Sequence, residues 1–101
     1  MTAKLKPADR KKQILDGALN VASLVGYQNV TRDAVATAAG VSTGLINLHF
    51  STMAQLKRDI MRAAVKREVL SVIAQGLAAH DAHARKASED LKRRALASLT
   101  V

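Results

Sequence analysis

Ser42, Thr43 and Asn47 fall within six residues of one another, close enough to share one edge of a short helix. Their chemistry suits a nucleic acid. An Asn amide can pair bidentately with an adenine edge, and a threonine methyl or Leu48 can touch a thymine methyl. A serine that opens a helix leaves backbone N–H groups facing outward, where a phosphate can sit. Asn47 has other uses open to it, donation to a phosphate or neither role. His80 and His83 flank Asp81, but two exposed imidazoles without a third strong ligand make a poor metal site. Cysteine is absent, which removes disulfides, thiol catalysis and Cys-based zinc. Ser42 has no His–carboxylate relay near it, and the carboxylates are scattered singly, so no enzyme, metal or cofactor is expected.

The charge balance points the same way. Sixteen Lys and Arg stand against eight Asp and Glu in 101 residues, a formal net charge of +8. Residues 1–13 hold Lys4, Lys6, Arg10, Lys11 and Lys12 against Asp9, and residues 57–68 hold Lys57, Arg58, Arg62, Lys66 and Arg67 against Asp59 and Glu68. Between these clusters, residues 14–56 carry only Asp16, Arg32 and Asp33. Two basic clusters around a neutral middle describe either solvated helix faces or a phosphate surface flanking a groove reader. Apolar residues make up 49% of the chain, so a disordered basic tail is a poor description. No apolar run is long enough to cross a bilayer, and the N-terminus lacks the apolar stretch of a signal peptide, so the expected location is cytoplasmic.

The elements that must position these residues all read as helices, and the expected fold class is all-α. The first runs from about Ala8 to Val25, with Pro7 in its first turn, a buried stripe of Ile14, Leu15, Ala18, Leu19 and Ala22, and Gly26 as its stop. Thr31 caps a second helix over Arg32 to Ala39. Gly40 breaks it, and Ser42 caps a third through about Phe50. Two short helices joined by a glycine turn form a helix-turn-helix. Thr52 and Gln55 fit a capping box at the start of a fourth helix, whose pattern persists to about Ala79. From Val69 to Leu77 its apolar residues take up too much of the circumference for one face. Residues 80–90 hold no apolar side chain larger than Ala, which predicts a hinge or an exposed helical turn. A last helical segment, Leu91 to Val101, must dock or fray.

From Gly26-Tyr27 to Leu56 the sequence resembles the DNA-binding domain of the TetR family of repressors. Gly26, Tyr27, Thr31, Val35, Ala36, Ala39, Gly40, Val41, Ser42, Gly44, His49 and Phe50 fit its pattern in register, and the likeness extends over roughly residues 10–65. The resemblance implies that the segment Thr43–His49 enters the major groove, with Thr43, Gly44, Asn47 and Leu48 facing base edges. Gly44 would let the backbone lie close to DNA, or would only relieve crowding within the helix. Lys4, Lys6, Lys11, Lys12, Thr31, Arg32, Ser42, His49, Thr52 and Lys57 are expected at phosphates. Two departures stand out: Asn47 where the family usually has Tyr, and Met53 where it usually has Lys. Both usual residues touch phosphates, which shifts the expected backbone grip to Lys57 and the N-terminal arm.

The domain reading is a helix-turn-helix domain with a basic arm over 1–52 and a helical dimerisation region over 53–101. The family normally adds a large helical region that binds a small molecule. Enclosing a pocket of roughly 300–1,000 Å³ with one long helix and a tail is hard, so no small-molecule effector is expected. The long helix and the tail are expected to pair two copies through Val69, Val72, Ile73, Leu77, Leu91 and Leu99. Pairing would place two reading helices about 34 Å apart on a palindromic operator. The functional expectation is a homodimeric, sequence-specific repressor. The alternatives are a non-specific nucleoid-type DNA coater and an anti-activator that sequesters another regulator.

Overall fold

A computed structural model describes residues 6–100. Helix α1 (Pro7–Val25) opens on a proline, which has no N–H to lose in a first turn, and buries Ile14, Gly17, Ala18, Leu19, Val21 and Ala22. A 3-10 turn, Tyr27–Asn29, then tucks Tyr27 under the helix end. Helices α2 (Arg32–Ala39), α3 (Thr43–His49) and α4 (Met53–Arg67) are each opened by a hydroxyl. Thr31 accepts from the Ala34 N–H at 3.2 Å, Ser42 from Leu45 at 3.1 Å and Thr52 from Gln55 at 3.0 Å. The return bond of the capping box is displaced by one residue. Gln55 Oε1 passes Thr52 and accepts from Ser51, from its N–H at 3.3 Å and its hydroxyl at 3.0 Å.

The long fourth helix expected from the periodicity is interrupted. It ends at Glu68, whose φ is 56°, and α5 (Leu70–Ala78) begins two residues later. The Val69 N–H donates back to the Ala64 carbonyl at 2.9 Å, the six-to-one closure that usually has glycine at its left-handed position. Folding back brings Val72, Ile73 and Ala74 into the core that also holds Ile14, Ile46, Phe50, Leu56, Ile60 and Met61. Gly76 is a close-packing position within α5. A Cβ there would stand 2.9 Å from the Ala84 Cβ and 2.4 Å from the Met61 Cε.

Residues 80–90 fold as a capped turn. His80 takes a φ of 59°, and the Asp81 carboxylate caps α6 (Ala82–Arg85) by accepting from the His83 and Ala84 N–H groups at 2.9 and 3.0 Å. Ser88 caps α7 (Glu89–Ala97), which docks on α5 with Leu91 and Ala95 buried. A 3-10 turn, Ser98–Thr100, follows. No helix among the described residues is long and apolar enough to cross a membrane.

This folding corrects the expected dimer face. Val72, Ile73 and Leu91 lie in the chain's own core, so they are not free to meet a second copy. Val69 and Leu77 are half-buried against that core, and of the expected set only Leu99 is exposed. The apolar girdle around α5 has an internal cause: α4, α6, α7 and the end of α1 surround it.

Candidate nucleic-acid interface

The turn between α2 and α3 is set by backbone chemistry. Gly40 sits at φ +71°, in the left-handed region where a side chain is strained, and the Val41 N–H closes on the Ala36 carbonyl at 3.0 Å. Gln13 on α1 donates its amide to the Ala39 carbonyl at 2.8 Å, fixing the end of α2 from behind. Gly17 lets α1 approach closely there, since a Cβ at Gly17 would stand 2.8 Å from the Ala39 nitrogen. Neither residue stands out in the sequence as part of the site. The signal available was a polar side chain and a glycine on the inner side of an otherwise apolar helix.

Ile46 and Phe50, both fully buried, hold α3 down. The opposite face carries Thr43, Gly44, Asn47 and Leu48, all exposed, with Leu48 keeping 77% of its surface. The Thr43 hydroxyl and the Asn47 amide make no hydrogen bond among the described residues, so both retain their capacity for an external partner. The crowding role considered for Gly44 has no support in the packing. A Cβ there would meet only the Ser42 Oγ, at an ordinary 3.8 Å.

Seven of the ten expected phosphate contacts fall into three groups. Thr31, Ser42 and Thr52 are exposed caps whose oxygens are already used once, and they mark the N-terminal ends of α2, α3 and α4. Arg32 and Lys57 are struts: Arg32 reaches the Ser51 carbonyl at 3.4 Å, and Lys57 reaches the Gln28 carbonyl at 3.2 Å. The Arg32 Nε is buried without a partner, while a shallow hollow lined by Val30, Thr31, Arg32, Asp33 and Met53 separates the starts of α2 and α4. Lys11 and Lys12 are turned along the flank of α1. Lys11 pairs with Asp59 at 3.6 Å and lies 5.3 Å from the centre of the Phe50 ring, and Lys12 pairs with Asp16 at 3.3 Å. Lys6 is exposed at the start of α1 and His49 is half-buried at the end of α3; Lys4 lies outside the described residues.

The match to the tetR family of bacterial regulatory proteins spans residues 14–64, which takes in the inner stripe of α1, the helix-turn-helix and nearly all of α4. The chain belongs to that family. It is therefore a DNA-binding transcriptional regulator, and α3 occupies the place of the reading helix in a tetR-family domain. No match was found among curated proteins or among solved structures. Asn47 is on the exposed face of α3, and Met53 lines the hollow beside Thr31 and Arg32.

Two further residues join the reading half of the chain to the helices behind it. Gln75 accepts from the Tyr27 N–H at 2.6 Å and donates to the Ala22 carbonyl at 3.3 Å. The Tyr27 hydroxyl donates to Asp81 at 3.0 Å. Burial, followed by the hydrogen bond and charge of Asp81, pushes the Tyr27 phenol up to about 12. Asp81 thus caps α6 and anchors the end of α1; among the described residues no group of three or more His, Cys, Asp or Glu is placed to hold a metal.

Proposed function

We propose that this chain is a homodimeric, sequence-specific repressor that reads a palindromic operator through α3 without a small-molecule inducer. The observation that carries the reading is the exposed face of Thr43, Gly44, Asn47 and Leu48, whose Thr43 hydroxyl and Asn47 amide make no hydrogen bond among the described residues, on a helix that the buried Ile46 and Phe50 hold in place. Asn47 is assigned to an adenine edge, and the exposed caps with Lys4 and Lys6 to phosphates. The pairing surface is the groove between α5 and α7. There the small Ala74 and Ala78 leave a hollow of about 540 Å³ beside Leu77, Leu96 and Leu99, and Glu89 and Arg93 supply both signs of charge. A two-fold axis brings the same patch of both copies together, so leucines facing hollows suit self-pairing, while Glu89 is already paired with Lys92 at 2.8 Å.

The test is selection of bound sequences from a random duplex pool, followed by titration of the recovered duplex and of random duplex across a salt series. A palindromic consensus is expected, bound at least ~10³-fold tighter than random duplex at physiological salt. Asn47→Ala should lower that ratio more than it lowers affinity for random duplex. A pool that yields no consensus while binding stays strong would assign the protein to non-specific DNA coating. No binding at any salt would leave the apolar groove as its working surface, as in an anti-activator.

A further inference from the structure

Along the outside of the molecule α1 and α4 run side by side in the same direction, with Lys11 beside Asp59 at one end and Asp16 beside Arg67 at the other. Between them lies a groove of about 480 Å³. Ala8, Leu15 and Ala63 form its floor, Lys11 and Lys12 stand on one wall, and Arg62, Lys66 and Arg67 stand on the other. Burial works to raise the Asp16 carboxyl, but bonds and charge from Arg67 and Lys12 hold it below the usual carboxylate range. Lys11, Lys12 and Arg67 thus have acids within the chain. Arg62 and Lys66, one helical turn apart on α4, have no ion pair among the described residues. Two exposed cations without an acid paired to them among the described residues, over an apolar floor, are complementary to a partner that is acidic on its flanks and apolar along its centre.

The dimensions narrow the partner further. From Ala8 to Leu15 on α1, and from Asp59 to Lys66 on α4, is seven residues, about 10 Å or two helical turns. The groove is open to solvent along that length, whereas a small-molecule site buries roughly 70–90% of its ligand. A duplex is also a poor fit. Lys66 lies fourteen residues along α4 from its cap Thr52, about 20 Å from the end of the helix that borders the reading surface, and phosphates have no use for an apolar floor. A third helix fits, its small apolar residues seated between α1 and α4 and its acids beside Arg62 and Lys66.

We propose that the α1–α4 groove is a docking site for an acidic amphipathic helix of a partner protein, separate from the DNA-reading face and from the α5–α7 groove. Because Ile14 of α1 and Leu56 and Ile60 of α4 share one core with Ile46 and Phe50, an occupant there would be placed to alter DNA binding from behind. The proposal does not depend on which operator is read or on whether two copies pair.

The experiment uses the full chain and a fluorescent synthetic helix of about three turns, with Ala and Leu on one stripe and Glu on both sides of it. A scrambled peptide of equal charge without the stripe is the control, and fluorescence polarisation is the readout. The striped peptide should bind at least 10-fold tighter than the scrambled one. R62E combined with K66E should weaken it at least 10-fold, while R85E combined with K86E, an equal change of charge at the end of α6, should change it less than 3-fold. The circular dichroism spectrum of R62E/K66E should stay close to that of the parent, and its random-duplex affinity should fall no further than that of R85E/K86E, which carries the same net charge. Equal binding of the two peptides, or equal losses from the two charge reversals, would reduce the groove to a general basic surface and overturn the proposal. A fall in duplex affinity as large as the fall in peptide affinity would give the groove to DNA instead.

Discussion

A methyl group added at Gly44 would meet only the Ser42 Oγ at 3.8 Å, so packing within the chain does not require glycine there. Gly44→Ala should therefore leave the fold intact, or stabilise it by up to about 1 kcal/mol through better helix propensity. If the α3 backbone lies close to a base edge, the same methyl group should cost operator affinity at least ~10-fold, about 1.4 kcal/mol. Thermal melts and operator titrations of one variant separate these effects, and unchanged binding would mean that the backbone keeps its distance. Tyr27 makes a different kind of prediction. Its phenol is pushed up to about 12, above the ordinary value of about 10, so the fold favours the neutral form. The stability this contributes is complete below pH 10 and is lost as the pH rises from 10 through 12. The chain has one Tyr and no Trp, so phenolate absorbance reports Tyr27 alone. Burial is the larger cause and Asp81 the next; D81N should lower the titration midpoint yet leave it above 10. An unchanged midpoint would mean that the Tyr27–Asp81 bond does not form in solution.

Three helices end in the same way, and one of those ends, the corner at Glu68, was not legible beforehand. At Gly40, Glu68 and His80 the chain turns left-handed, and the residue after each closes on the carbonyl five positions back, at 3.0, 2.9 and 2.8 Å. Glycine announces the first. The loss of large apolar side chains after Ala79 announces the third, but the positive φ of Glu68 and His80 is not announced by residue type, and at Glu68 nothing else marks the turn. That is why the capped starts of α2, α3 and α4 follow from Thr31, Ser42 and Thr52, whereas the corner between α4 and α5 does not follow from Lys66-Arg67-Glu68-Val69. The contact between α1 and α2 was hidden for a similar reason. Gly17 reads as a weak spot within a helix, but its missing side chain is what admits the Ala39 backbone, with the nitrogen 2.8 Å and the Cα 3.0 Å from where a Cβ would be. Gly17→Ala should thus destabilise the protein by about 1–3 kcal/mol despite the better helix former, because backbone cannot yield as a flexible side chain does. Urea denaturation gives the number, and a stabilised variant would show that α1 and α2 stand further apart than described.

For the molecule as a whole, the exposed face of α3 was legible because its logic is local: a cap, a turn glycine and alternate faces of one seven-residue helix fix which side chains look outward. The proposed pairing surface was not, since whether an apolar residue faces its own core or a neighbour depends on where the chain turns back. Val72 and Ile73 at 0% exposure lie in the protomer's core, while Leu96 and Leu99 keep 50% and 62% of their surface on the α5–α7 groove. The two classes should respond differently to a charge. An aspartate at Ile73 would be buried without a partner, a cost of several kcal/mol against a total stability of roughly 5–15 kcal/mol. Ile73→Asp should lose its cooperative melt and its helical circular dichroism. Leu96→Asp places the charge in water in the monomer, so its melt measured as a monomer should stay within about 0.5 kcal/mol of the parent. In a dimer built on the groove that charge would be trapped between apolar surfaces, and sedimentation should show a folded monomer at concentrations where the parent is dimeric. Operator affinity should then fall with it, because each half-site is held by one reading helix without the effective concentration its twin supplies. A Leu96→Asp protein that sediments as a dimer would move the pairing surface away from α5 and α7. A parent that is monomeric on its operator would remove the need for one.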